Sequence, residues 1–127
     1  MGEKVIVTAD HIRGVFQRYC DLLTRGDFDA VALLYAENAT VEDPVGSEPR
    51  RGRAAIREFY RASAGKVRLE LEGRVRVAGR EGAAAMIARP TGAAGTIIET
   101  LDVMTFDEAG RITSMRAYWS PETIYRG

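Results

Sequence analysis

Val67-Arg68-Leu69-Glu70-Leu71-Glu72-Gly73-Arg74-Val75-Arg76-Val77 alternates apolar and charged residues through most of its length. A period of two is the signature of a strand with one face on a core and one in water. Gly73 interrupts the pattern, so the stretch reads as one or two strands with a bend or bulge there. On its C-terminal side, Gly79-Arg80-Glu81-Gly82 gives a hairpin signal. A weaker strand follows over Ala83–Arg89, then a turn over Pro90–Gly95 and a long strand over Thr96–Phe106. Asp107-Glu108-Ala109-Gly110 turns the chain into a last strand over Arg111–Ser120, and the final seven residues read as a loose tail.

Upstream of this meander the period changes to that of helices. Thr8 can cap a helix carrying Ile12, Val15, Phe16, Tyr19, Leu22 and Leu23, closed by Gly26. Asp27 caps a shorter helix with Phe28, Val31, Ala32, Leu34 and Tyr35. A brief strand spans Thr40–Asp43 and stops at Pro44. After a loop over Val45–Gly52, Arg53–Ala64 reads as a third helix with Ile56, Phe59 and Tyr60 on one side. Three helices followed by an antiparallel meander predict an α+β domain, with the helices packed on one face of a curved, mostly antiparallel sheet. The 127 residues read as a single domain, 1–127.

Composition narrows the function. Eighteen basic and eighteen acidic side chains cancel, and no basic stripe offers a surface to nucleic acid or anionic lipid. One cysteine, Cys20, excludes an intramolecular disulfide and a cysteine metal cage, and reads as a packing thiol. One histidine, His11, cannot form a cluster. No apolar stretch reaches membrane-spanning length, and the start, with Glu3 and Lys4, shows no hydrophobic signal segment. A cytoplasmic protein is the expectation, without partners among nucleic acids or membranes. No metal-ligand spacing, phosphate loop or nucleophile elbow is present.

The informative residue is Asp102. In Ile97-Ile98-Glu99-Thr100-Leu101-Asp102-Val103-Met104-Thr105-Phe106, alternation puts Asp102 on one face with Ile98, Thr100, Met104 and Phe106. A carboxyl on an apolar face must pair or keep its proton. Arg116 could neutralise it, but alternation with Met115, Ala117 and Trp119 turns Arg116 away. Those three residues would line the hollow that Asp102 faces. Asp43 ends its strand beside Pro44; alone it reads first as a turn carboxylate accepting loop N–H bonds, with Glu42 pointing to the opposite side. Tyr19, Tyr35 and Tyr60 fall on the apolar sides of three predicted helices. Core packing explains any one of them, but three buried hydroxyls need partners, and the cheapest partners are each other. Together these residues suggest proton transfer.

The segments Phe16–Tyr19, Leu34–Pro44, Gly52–Tyr60, Asp102–Ile112 and Met115–Ser120 resemble bacterial ketosteroid isomerase, the steroid Δ5-isomerase, on the cone-shaped nuclear transport factor 2-like fold. The resemblance implies a general base at Asp43, an oxyanion-hole phenol at Tyr19 and a protonated oxyanion-hole acid at Asp102. It implies supporting phenols at Tyr35 and Tyr60. Trp119, Met104, Met115, Ala117 and Phe59 are expected to form the substrate pocket. That a carboxylic acid stays neutral near pH 7 is a property of that family rather than a reading of these residues. A steroid substrate, no cofactor and no metal, and a homodimer are further implications. Ala83-Ala84-Ala85 and short turns leave substrate size open. Two alternatives share the residues: a polyketide cyclase or epoxide hydrolase on the same fold, and a non-catalytic module for hydrophobic ligands.

Overall fold

The structure is a computed structural model that describes residues 7–127. Glu3 and Lys4, read above for the lack of a signal segment, lie outside the described residues. Helix α1 spans Ala9–Arg25. Thr8 Oγ1 accepts from His11 N at 3.0 Å at its start, and Gly26 (φ 86°) closes it. Helix α2 spans only Phe28–Leu33, with Asp27 capping Ala30 N at 3.1 Å. Strand β1 (Tyr35–Glu42) begins at once, so it is longer than the brief strand expected. A two-residue strand β2 (Arg50–Arg51) precedes helix α3 (Arg53–Ser63).

The second half is the predicted meander: β3 (Val67–Ala78), β4 (Glu81–Pro90), β5 (Ile97–Phe106) and β6 (Ile112–Tyr118). β3 is one strand whose pairing with β4 shifts between Glu72 and Arg76, beside Gly73 at φ 77°. The tail is not loose. A 3₁₀ turn (Pro121–Thr123) is capped by Ser120, and β7 (Ile124–Tyr125) pairs with Ile97–Ile98 of β5. Its signal was Ser120-Pro121, a capping residue followed by a proline that suits the first helical position.

The sheet runs β2-β1-β6-β5-β4-β3, with β7 added to β5. All pairs are antiparallel except β1 with β6. The helices cover one face. Gly82 allows this closeness: a Cβ there would stand 2.7 Å from the Phe16 ring and 2.8 Å from Ile12 Cγ2. Cys20 is buried against Met86, and burial pushes its thiol up to about 12, as expected of a packing thiol. Among the described residues, no helix is long and apolar enough to cross a membrane.

Candidate active site

The alternation of β5 places its residues as the sequence predicts. Asp102 is 3% exposed, between half-buried Thr100 and fully buried Met104, on the helix-facing side. Leu101 and Val103 point the other way. Above Asp102 the sheet and helices part to leave a cavity of about 450 Å³. Tyr19, Asp43, Tyr60, Thr100, Asp102 and Trp119 line it at one end and Ser63 and Lys66 at another, with Leu23, Phe59, Leu69, Ala88, Ile98 and Ala117 among its apolar residues.

Asp43 follows directly after β1. Its neighbour Glu42 turns to the outer side and pairs with Arg116 at 2.8 Å, so both residues face away from the cavity as alternation required. Asp43 is half-buried, and Trp119 Nε1 donates to its Oδ1 at 2.6 Å. Burial raises the Asp43 pKa; the indole donor and the positive charge of Arg50 pull it back. Arg50 lies over the Phe59 ring at 5.0 Å, a partner that sequence reasoning missed.

Asp102 is held differently. Burial pushes its pKa up to about 7, and the charge of Asp43 adds to the effect. Thr100 Oγ1 donates to Asp102 Oδ1 at 3.0 Å and works against both. Thr100 was another missed partner, although its i,i+2 spacing put it on the same face.

The phenols come together. Tyr19 and Tyr60 oxygens are 3.1 Å apart, and those of Tyr60 and Tyr35 2.6 Å. All three pKa values lie well above the ordinary range because the rings are buried. Tyr35 is a correction of place: it begins β1 rather than sitting on α2, because the helix ends at Leu33. It stands behind Tyr60, outside the cavity lining, and its carbonyl accepts two bonds from the Arg53 guanidinium.

The expected pocket residues divide. Trp119, Ala117 and Phe59 line the cavity. Met104 and Met115 do not. They are register partners on β5 and β6, fully buried deeper in the core than the cavity floor. Ala83, Ala84 and Ala85 also lie outside the lining. Ala84 pairs with Asp102, and its two neighbours alternate to the outer face.

Comparison with known proteins places the chain in a family. A SnoaL-like domain matches residues 16–115. Over 111 residues the chain is 47% identical to a steroid Δ-isomerase of Nocardioides simplex, covering 87% of this chain and 90% of that protein. Among solved structures, the epoxide hydrolase/cyclase-like enzyme SalBIII, which has a role in pyran ring formation in the polyether salinomycin, superposes with a TM-score of 0.83. That match is 32% identical and covers 94% of this chain and 98% of SalBIII. The chain therefore belongs to the SnoaL-like family on the nuclear transport factor 2-like fold, and within it is a relative of bacterial steroid Δ-isomerase.

Proposed function

We propose that this protein is a cofactor-independent steroid Δ5-isomerase, converting Δ5-3-ketosteroids to their conjugated Δ4 isomers. One observation carries the reading. Two carboxyls with different surroundings, Asp43 and Asp102, open into the same largely apolar cavity as Tyr19. Environments that differ in this way divide the roles of base and acid.

Asp43, held by a single indole donor, is the proton carrier. Its carboxylate takes the proton from the carbon between carbonyl and alkene, leaving a dienolate. The same group returns that proton to the far carbon of the system, and the double bond moves into conjugation. General-base action contributes roughly 10²–10⁴-fold. The charge that develops on the carbonyl oxygen is met by Tyr19 and by neutral Asp102. Each such donor is worth on the order of 3 kcal/mol in a site that excludes water. For Tyr19 to donate to substrate, it accepts from Tyr60, which accepts from Tyr35. A relay running in that direction strengthens the terminal donor. The apolar remainder of the cavity suits a flat hydrocarbon skeleton.

The SalBIII likeness favours a second reading, in which the same acid and base open an epoxide. The decisive experiment offers a neutral Δ5-3-ketosteroid and follows enone absorbance. The isomerase reading expects rapid appearance of the conjugated product with no added metal or cofactor. No enone from this substrate, with turnover of an epoxide instead, would favour the second reading.

A further inference from the structure

The cavity wall is polar at two places. One is the Asp43, Asp102 and Tyr19 group. The other is the C-terminal end of α3 and the turn after it, where Ser63 and Lys66 reach the lining among Ala62, Val67 and Pro90. The two are far apart along the sheet. Asp102 pairs with Ala84, while Val67, next to Lys66, pairs with Pro90, six residues farther along β4. At a rise of about 3.3 Å per residue that separation is roughly 20 Å. A fused four-ring skeleton bound with its carbonyl at Asp102 would run along the lining past Thr100 and Ile98, which puts its far ring on the Lys66 side of the cavity.

The backbone of Lys66 is fixed. Its carbonyl accepts from Thr91 N at 3.0 Å and Thr91 Oγ1 at 3.2 Å, and its N–H donates to Ser63 O at 3.1 Å. Its ammonium is uncommitted: among the described residues, none of the ion pairs uses it. Ser63 already directs its hydroxyl at Phe59 O, 3.4 Å away. Among the described residues, Lys66 is therefore the single cation of the lining, on an anchored backbone, across an apolar belt from the reacting end.

We propose that Lys66 selects ketosteroids whose far ring bears a short side chain ending in a carboxylate. The inference rests on the isomerase reading and names the substrate class of the same site. The side chain bridges the distance that the ring system leaves, and the ammonium meets its acid at the cavity mouth. In the competing view Lys66 only serves the C-terminal end of α3 as a solvated cation.

The test uses two Δ5-3-ketosteroids, one with a ketone on the far ring and one with a short carboxylate chain there. Wild-type protein should show a lower KM for the acid. In Lys66→Met the ratio of the two KM values should shift roughly fivefold against the acid, the effect of one partly exposed ion pair. Lys66→Arg should keep the preference, and high salt should narrow it in the wild type. If the neutral ketone is isomerised but Lys66→Met leaves the KM ratio where it was, Lys66 is only a solvated cation and the proposal falls while the isomerase reading stands. Turnover of neither steroid by the wild type would overturn both.

Discussion

Thr100 Oγ1 and Asp102 Oδ1 lie 3.0 Å apart on one face of β5, the hydroxyl donating to the buried carboxyl. The bond favours ionised Asp102, whereas burial and the nearby Asp43 charge favour the acid. Desolvation is the largest of the three effects, so the proton stays near neutral pH. Asp102→Asn keeps a donor toward substrate and should cost little in kcat. Asp102→Leu leaves Tyr19 alone with the developing charge and should lose roughly 10²–10³ in kcat. The leucine variant should be at least as stable as the parent, because it removes a buried polar group. Steady-state rates and urea melts of both variants check this; equal damage by Asn and Leu would mean that Asp102 acts as an ionised partner.

The same shift predicts how stability follows pH. The folded protein holds the Asp102 proton up to about 7, whereas an ordinary aspartate releases it near 3.8. Between those values the native state binds more protons, so the stabilisation present at low pH is lost as pH rises toward 7. Asp43, also raised, contributes in the same sense. Thermal melts across this window should show a shallower decline in Asp102→Asn than in the wild type. Wild-type kcat/KM should fall above about 7 as the acid ionises, a limb that the asparagine variant lacks. Superimposable pH profiles would remove Asp102 from the account.

Tyr19→Phe should be more damaging than Tyr60→Phe or Tyr35→Phe. The first loses the donor to substrate; the others lose support at 3.1 Å and 2.6 Å behind it. Comparison of kcat across the three variants decides the point. Equal losses would make the phenols packing groups or one indivisible network.

Period-two alternation made the most distinctive residue legible. It put Asp102 inward and Arg116 outward, with no knowledge of the helices above them. What failed was depth along a correctly assigned face. Met104 shares a face with Asp102, yet the cavity ends at Asp102, and alternation says nothing of where packing closes. Tyr35 failed for another reason. Val31, Leu34 and Tyr35 continue a helical spacing, and nothing local shows that α2 stops after six residues. The tyrosine still reaches Tyr60 because β1 runs directly beneath α3. Two-residue strands such as β2 and β7 exist only through their partners, so sequence pattern cannot reveal them.

The homodimer implied by the family resemblance should form through the outer sheet face. Leu101 (44% exposed) and Tyr118 (42%) are register partners there, and Ala85 flanks Leu101 on β4. Such a contact would cover these half-exposed side chains. Sedimentation should give twice the chain mass, and Leu101→Lys should shift the protein to monomer. A monomeric wild type at micromolar concentration would contradict this assignment.

The central claim is that Asp43 carries the proton, and Asp43→Asn tests it most directly. The amide keeps the shape of the side chain and an acceptor for the Trp119 indole, but it cannot take a proton. Enone formation from a neutral Δ5-3-ketosteroid, measured beside the wild type, should fall by several powers of ten. The variant should still bind a planar phenolic steroid, whose oxygen resembles the dienolate that Tyr19 and Asp102 meet. Near-native turnover by Asp43→Asn would show that another group moves the proton.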